Sequence, residues 1–230
     1  MQDAKLNKTD TERPPRSVRV WDFPTRLFHW LLVFFVIISF VTGKLGGNAM
    51  PYHEWSGFTI LSLLLFRLVW GFVGSRESRF MTFIRGPSAV VRYATTLLRS
   101  DSTHYLGHNP LGGWSIIAMI FALLVQAGTG LFANDDIVTQ GPLFIWVSKA
   151  TSDWLTRIHK LNQVLIIALV SIHVLAVLFY FFYKRENLAK PMITGFKQWN
   201  GVEPEPAAGR TWMAAVIAGL AALAVYLLVR

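Results

Sequence analysis

The sequence predicts an all-α membrane protein in which five helices cross the bilayer. Of its 230 residues, 53% are hydrophobic and only 15% are charged, and this charged fraction is low for a soluble domain of such length. Five apolar runs each approach the ~20 residues that a helix needs to span the hydrocarbon. Lys and Arg concentrate in alternate connections between these runs. These three observations together predict the fold class.

Each of the five runs has features of a membrane-spanning helix. Aromatic and basic residues precede the first, as expected where a chain enters the headgroup layer. Arg67 interrupts the second, and Asn109-Pro110 before the third suits a helix start. The fourth carries two histidines, and the fifth is rich in Ala and lacks ionisable groups. The runs are Phe28–Gly43, Phe58–Gly74, Trp114–Ala133, Leu161–Tyr183 and Trp212–Val229.

These runs divide the chain into four parts. Residues 1–17 are polar and are expected to form a flexible cytoplasmic tail, while residues 18–197 contain four spans and form the main transmembrane domain. A linker is expected at 198–210. Residues 211–230 then form an additional helix, which we interpret as an accessory anchor.

The Lys and Arg residues predict the orientation of the spans. Sixteen of them lie before the first run or in the connections after the second and fourth runs, and five lie on the opposite side. The positive-inside rule then places the N-terminus in the cytoplasm and the C-terminus outside. We therefore interpret the net charge of +9 as a topology signal with some attraction to anionic membrane lipid, and not as a nucleic-acid footprint.

Four histidines lie inside or at the ends of apolar runs, where an ionisable side chain is costly and needs a partner. His159 and His173 are fourteen residues apart on one predicted helix. They therefore share a face of that helix and differ in depth by ~21 Å. The predicted topology places His29 with His173 on the inner side, and His53 with His159 on the outer side.

Two imidazole pairs at matching depths suit two b-type haems, since each iron takes one nitrogen on each face of its ring. The chain has no cysteine, which excludes disulfides, Cys-ligated iron–sulfur clusters and the covalent attachment of a c-type haem. We therefore expect two non-covalent haems. With both axial positions filled, the expected chemistry is electron transfer and not oxygen activation.

The same spacing adds two candidate cofactor-binding residues. Gly43 follows His29 by fourteen positions and so lies at the outer level, where a side chain would collide with the haem ring. Arg67 follows His53 by fourteen positions and lies at the inner level, where a haem propionate could neutralise it. The alternatives are ordinary helix packing for Gly43 and snorkelling to the interface for Arg67.

The spacing of His104 and His108 resembles a metal-binding helix face. A regular helix is disfavoured there by Gly107 and Pro110, and two ligands do not make a closed zinc site. We interpret both histidines as a cytoplasmic loop pair, with a contact between His108 and a propionate as the minor alternative.

Three motifs carry a family resemblance. They are Arg19-Val-Trp-Asp-Phe-Pro-Thr-Arg-Leu-Phe-His29-Trp30, Gly107-His-Asn-Pro-Leu-Gly-Gly113 and Lys184-Arg-Glu-Asn-Leu-Ala-Lys-Pro-Met-Ile-Thr-Gly195. They resemble the bacterial cytochrome b561 family, which includes the b-type subunits of membrane-bound nickel–iron hydrogenases. The resemblance covers residues 18–197.

This resemblance implies a four-helix transmembrane bundle that holds two bis-histidine b haems in the bacterial inner membrane. The ligands carried over are His29, His53, His159 and His173, the same four residues that the spacing selected. Family members pass electrons between the quinone pool and a partner such as a periplasmic c-type cytochrome or a hydrogenase. The fifth helix departs from the family pattern.

We therefore expect a di-haem cytochrome b that links quinone to a periplasmic redox partner such as a c-type cytochrome, with quinol:acceptor oxidoreductase activity left open. Glu54, Asp135 and Asp136 are outer-side candidates for accepting quinol protons, with a solvated loop carboxylate as the alternative for each. A nickel–iron hydrogenase cytochrome b subunit is the alternative within the same chemistry. A His-lined metal or proton transporter is the alternative from another class, and it is disfavoured because the sequence shows no repeated halves and the histidine pairs lie ~21 Å apart.

Overall fold

The computed structural model describes residues 16–98, 105–200 and 211–230. His104 and most of the predicted tail and linker lie outside these described residues. The described residues form eight α-helices and two β-strands. In chain order they are β1 Arg16–Arg19, α1 Phe23–Leu45, α2 Met50–Val73, α3 Phe80–Phe83, α4 Pro87–Thr96, α5 Pro110–Gly130, α6 Lys149–Phe182, α7 Ala189–Thr194, β2 Phe196–Trp199 and α8 Thr211–Val229.

Five of these helices, α1, α2, α5, α6 and α8, are long and apolar enough to cross a membrane. The predicted fold class is confirmed: the protein is an all-α, multi-pass membrane protein with a four-helix bundle and one additional C-terminal helix. The helix starts follow local chemistry. Asp22 caps α1 by accepting a hydrogen bond from the Thr25 amide at 2.8 Å, and Asn109 caps α5 by accepting one from the Gly112 amide at 2.7 Å.

Helix α6 differs most from its predicted span, because it begins at Lys149, twelve residues before the apolar run. Polar residues in its first turns are buried against the preceding loop. Ser152 donates a hydrogen bond to the Phe132 carbonyl at 2.6 Å, and Thr156 accepts one from the Asn134 amide at 3.0 Å. The polar start of the helix is therefore held by tertiary hydrogen bonds, which hydropathy does not detect.

The bundle is built from two helix pairs, α1 with α2 and α5 with α6, which meet through α2 and α5. Leu64 and Trp70 of α2 have no exposed surface, so α2 forms the centre of the core. Helix α8 packs along α2, with Ala214 and Ala221 in the same buried cluster as Trp70. Small side chains of this kind allow transmembrane helices to approach closely.

A two-stranded antiparallel sheet of β1 and β2 closes one end of the bundle. The amides of Val20 and Trp21 both donate to the Gly195 carbonyl, at 2.9 and 3.2 Å. Gly195 has φ +89°, a left-handed conformation that favours glycine. We call this end of the bundle the sheet side, and the opposite end, which carries residues 46–49 and 131–148, the loop side.

The packing of α2 on α3 predicts the effect of one substitution. A Cβ atom on Gly71 would lie 2.1 Å from Cε2 of Phe80, whose side chain is buried. Gly71→Ala should therefore destabilise the protein by about 1–3 kcal/mol, the usual cost of overpacking a core. Thermal unfolding in detergent measures the change.

Gly219→Ala on α8 is the control, because a Cβ atom there has no neighbour within 4 Å. It should leave the unfolding temperature unchanged or raise it slightly, since Ala favours helix over Gly by up to ~1 kcal/mol. Equal unfolding temperatures for the two variants would contradict the described contact between α2 and α3.

Candidate functional site

Two histidines from different helix pairs face each other on the loop side. His53 lies in the first turns of α2, and His159 lies about three turns into α6 rather than at its start. Their ring centres are 6.1 Å apart, and the ring planes are nearly perpendicular at 86°. The structure thus brings together the two residues that the sequence paired at the outer level.

Hydrogen bonds fix the orientation of both rings. Nδ1 of His53 donates to the Ser39 carbonyl at 2.8 Å, and Nδ1 of His159 donates to the Gln126 carbonyl at 2.9 Å. A carbonyl can only accept, so Nδ1 carries the proton in each neutral ring. The other nitrogen, Nε2, is then an unprotonated donor atom for a metal, which is the usual arrangement of a metal-binding histidine.

A polar network on α5 and α6 supports the position of His159. Nδ2 of Asn162 donates to the Ala122 carbonyl and to Oε1 of Gln126, both at 2.8 Å. Asn162 is buried one turn after His159 on α6. Gln126, whose carbonyl orients the His159 ring, is therefore itself hydrogen-bonded to α6, the helix that carries this ring.

The two histidines line a cavity of about 110 Å³ between the helices of the bundle, and the cavity opens to the surface. Its walls come from all four helices of the bundle and are mainly apolar. Residues that represent the four walls are Val36, Phe58, Leu123 and Ile166.

The separation of the two rings fits a metal held between two imidazoles. Metal–imidazole bonds are ~2 Å long, so two rings on opposite sides of one metal have centres ~6 Å apart. The 6.1 Å between the ring centres of His53 and His159 fits this value. Within the described ranges there is no cluster of three or more His, Cys, Asp or Glu side chains that could hold a metal ion. The histidine pair therefore suits a metal that brings its other ligands with it, as haem iron does.

The second pair, His29 on α1 and His173 on α6, lies on the sheet side. The two rings are close enough to interact electrostatically. Nδ1 of His29 is buried and has no hydrogen-bond partner, in contrast to Nδ1 of the loop-side histidines. The structure therefore places the two histidines of this pair within electrostatic range of each other, but gives Nδ1 of His29 no carbonyl acceptor.

Arg67 lies on the sheet side and is only 3% exposed, so it does not snorkel to the protein surface. Its guanidinium carbon lies 4.8 Å from the centre of the Phe80 ring, and its Nη1 has no hydrogen-bond partner. Asp22 is the acid whose charge acts on Arg67, but its two oxygens already accept hydrogen bonds from Thr25 and Trp70. A buried cation without a paired anion costs several kcal/mol, so the site is suited to an external anion.

His108 follows a turn, as expected, but its ring packs into the sheet side of the bundle. Its ring centre lies 4.6 Å from that of Trp21 and 4.9 Å from that of Phe83. It interacts electrostatically with Arg67 and with both sheet-side histidines. Burial, and then the charge of Arg67, lowers the pKa of His108 to about 3, so the ring is neutral. The interpretation of His108 as a loop residue missed this environment.

The turn before α5 is held in place by the residues around His108. Asn109 caps α5 with Oδ1, while its Nδ2 donates to the Tyr180 hydroxyl of α6 at 2.8 Å. A Cβ atom on Gly113 would lie 2.8 Å from a backbone oxygen of α3. This motif therefore fixes the approach of α5 to its neighbours and, with it, the direction of the His108 side chain.

A glycine packs against each loop-side histidine. A Cβ atom on Gly43 would lie 2.7 Å from Nδ1 of His53, and one on Gly130 would lie 3.0 Å from Cε1 of His159. The sequence spacing predicted that Gly43 leaves room for a cofactor ring. In the structure, the group directly beside Gly43 is the ring of His53. Gly130 was missed. A repeated Thr-Gly pair in the sequence could have identified Gly130, because Thr129-Gly130 near the end of α5 matches Thr42-Gly43 near the end of α1.

Comparison with known proteins places these features in a family context. The family model for prokaryotic cytochrome b561 matches residues 20–195. The chain is 25% identical to a Bradyrhizobium diazoefficiens protein named Probable Ni/Fe-hydrogenase B-type cytochrome subunit, over 80% of this chain and 87% of that protein. A Rhodobacter capsulatus protein of the same name is 25% identical, over 85% of this chain and 87% of that protein. The corresponding hydrogenase 1 protein of Escherichia coli K12 is 24% identical, over 77% of this chain and 89% of that protein. No solved structure matches the chain.

The contact between Gly130 and His159 predicts a loss of cofactor. Gly130→Val should displace the His159 ring and weaken cofactor binding on the loop side by ~10–100-fold, as the loss of a ligand's support commonly does. The haem-to-protein ratio of the purified protein measures this loss. Gly128→Val is the matched control, because a Cβ atom on Gly128 has no neighbour within 4 Å. An unchanged haem ratio in the Gly130 variant would contradict the role assigned to this contact.

Proposed function

Because this chain belongs to the prokaryotic cytochrome b561 family, we propose that it is the membrane-spanning cytochrome b subunit of a nickel–iron hydrogenase. As a family member it is a b-type cytochrome for electron transfer, and such a protein carries haem b. The observation that carries the proposal is the loop-side histidine pair, whose ring centres are 6.1 Å apart and whose Nδ1 atoms are held by carbonyls. Family membership gives no support to the metal or proton transporter considered from the sequence.

The proposal assigns two haems to the two histidine pairs. His53 and His159 would hold one on the loop side, and His29 and His173 the other on the sheet side. Haem supplies reversible one-electron oxidation and reduction, and two haems at depths ~21 Å apart would connect the two faces of the membrane. The four histidines would hold the two irons, and on the loop side carbonyls fix the imidazole orientation and the cavity walls are mainly apolar.

The distribution of basic residues supports one orientation in the bacterial inner membrane. Among the described residues, eleven Lys and Arg residues lie in the segments on the sheet side, and five lie on the loop side. We therefore propose that the sheet side faces the cytoplasm and the loop side faces the periplasm. The loop-side haem would then be the one nearer to a periplasmic partner.

The comparisons favour a hydrogenase as this partner. The sequence led first to a link between quinone and a periplasmic c-type cytochrome, with the hydrogenase subunit as the alternative. The relatives from three bacterial genera all carry the name of a hydrogenase cytochrome subunit, and each matches over most of its length. The alternative is therefore the function we now propose, with quinone as the second redox partner.

The three carboxylates considered for quinol protons differ in their surroundings. Asp135 accepts three backbone N–H bonds at 2.8–3.0 Å, which lower its pKa to about 2, so it is a poor proton acceptor at neutral pH. Asp136 forms an ion pair with Lys149 at 2.5 Å. Glu54 lines the loop-side cavity beside His53. Glu54 is therefore the carboxylate that we propose for proton transfer to or from a quinone on this side.

If each histidine pair holds one haem, replacing histidines should remove haems in a defined pattern. The reduced-minus-oxidised spectrum, with a haem-to-protein ratio, should show two b-type haems in the unmodified protein. His53→Ala or His159→Ala should each lower the ratio from two to one, and the double variant should also retain one, because both residues hold the same iron. His29→Ala combined with His53→Ala should retain none.

His104→Ala is the control for this series, since the proposal gives that histidine no ligand role. It should leave the ratio at two. A ratio near one in the unmodified protein, or equal losses in the His53–His159 and His29–His53 double variants, would overturn the assignment of two haems to two pairs.

The source of the electrons that reduce the haem distinguishes a hydrogenase partner from a c-type cytochrome partner. Membranes that contain this protein and the host hydrogenase should show reduction of the b-type haem when hydrogen gas is added. Deletion of the hydrogenase catalytic subunit should abolish this reduction, while dithionite should still reduce the haem. Unaltered hydrogen-dependent reduction in the deletion strain, or reduction only by a c-type cytochrome, would contradict the hydrogenase assignment.

A further inference from the structure

Several buried nitrogen atoms on the sheet side have no hydrogen-bond partner. Nη1 of Arg67 and Nδ1 of His108 are among them. The two side chains interact electrostatically, and His108 also interacts with His29 and His173. Buried polar groups in folded proteins almost always have a partner. Two unpartnered nitrogens beside the sheet-side histidine pair therefore point to a ligand that accepts hydrogen bonds.

We infer that Arg67 and His108 together bind the carboxylate groups of the sheet-side haem. This inference rests on the proposed function, because it assumes that His29 and His173 hold a haem. A guanidinium presents several N–H groups in a planar fork that matches a carboxylate, and its charge strengthens each bond. An imidazole can add one further N–H donor. Arg67 therefore supplies the charge, and His108 supplies a second N–H contact.

The position of Arg67 distinguishes a haem carboxylate from a lipid headgroup, which could offer similar oxygen atoms. Arg67 is 3% exposed, and its guanidinium lies against the Phe80 ring. His108 is packed against Trp21 and Phe83. A headgroup at the membrane surface would have to displace these aromatic side chains, whereas a cofactor held by His29 and His173 would reach both groups from inside the bundle.

Within the described part of the loop side there is no buried cation like Arg67, and Lys160, whose charge acts on His159, is exposed. Among the described residues that line its cavity there is no Lys or Arg, and Glu54 is the charged residue present. The two haems would therefore be held differently, the loop-side haem by its ligands and apolar walls, and the sheet-side haem also by charge. Reduction adds one negative charge to a haem, and a nearby cation favours this change. Arg67 therefore raises the reduction potential of the sheet-side haem.

The experiment measures each haem separately in the intact, haem-loaded protein. His53→Ala leaves the sheet-side haem for measurement, and His29→Ala leaves the loop-side haem. Arg67→Gln is combined with each, and a redox titration follows the visible spectrum. Arg67→Gln should disfavour reduction of the sheet-side haem about tenfold, ~59 mV for a one-electron couple, and should leave the loop-side haem unchanged.

Resonance Raman spectroscopy of the haem carboxylate bending mode tests the contact with His108. In the His53→Ala background, His108→Phe should shift this mode, because the donor is lost, and His108→Gln should restore it in part. Arg92→Gln is the control, because Arg92 is an exposed residue of α4. It should leave both the potential and the Raman mode unchanged.

The outcomes separate this inference from the proposed function. Fewer than two haems in the unmodified protein would overturn the two-haem assignment on which this inference rests. Two haems, with a sheet-side potential and carboxylate mode that do not respond to Arg67→Gln and His108→Phe, would overturn the inference alone. Arg67→Gln could remove the sheet-side haem altogether, and the Arg67→Lys variant is then measured. Retention of the haem with a near-normal potential in Arg67→Lys supports anchoring by charge. Loss of the haem from Arg67→Lys overturns the inference.

Discussion

The loop side of the bundle depends on the need of each buried imidazole for a partner at Nδ1. His53 of α2 donates to a carbonyl of α1, and His159 of α6 donates to a carbonyl of α5. Each helix pair thus contains one histidine and the acceptor that orients it. The glycine that contacts each ring lies one turn beyond the acceptor, since Gly43 follows Ser39 and Gly130 follows Gln126 by four residues. The two helix pairs therefore orient their histidine rings with the same arrangement of a carbonyl acceptor and a glycine, although their sequences show no extended repeat.

The sheet side follows a different principle, in which aromatic packing and charge replace the carbonyl acceptors. His29 has no partner at Nδ1, while Arg67 and His108 bring further nitrogen atoms to the same region. The surrounding rings exclude water, which strengthens every electrostatic interaction made there. A cofactor on this side would contact polar groups that the protein leaves unpaired, whereas a cofactor on the loop side would contact rings that are already oriented. The two sites are thus unequal even though each contains two histidines.

The sequence was sufficient to predict the five membrane-spanning helices, because length and apolar composition determine them. It also paired His53 with His159, since helical periodicity and basic residues assign depth without any knowledge of packing. It could not predict the start of α6 at Lys149, because Ser152 and Thr156 are stabilised there by hydrogen bonds to a distant loop. It also missed the environments of His108 and Gly130. Contacts of this kind depend on which helices become neighbours, and one sequence does not determine that by periodicity alone.

The strand pair on the sheet side has a consequence for the order in which the molecule is completed. β1 spans Arg16–Arg19 and β2 spans Phe196–Trp199, so this sheet joins segments that are separated by almost the entire bundle. During synthesis the first strand leaves the ribosome long before the second, and chains of this size form their parts from the N-terminus onward. The N-terminal strand must therefore wait until α1, α2, α5 and α6 have all been made. Closure of the sheet is then a late step of biogenesis, and it seals the end of the bundle where Arg67 and His108 lie.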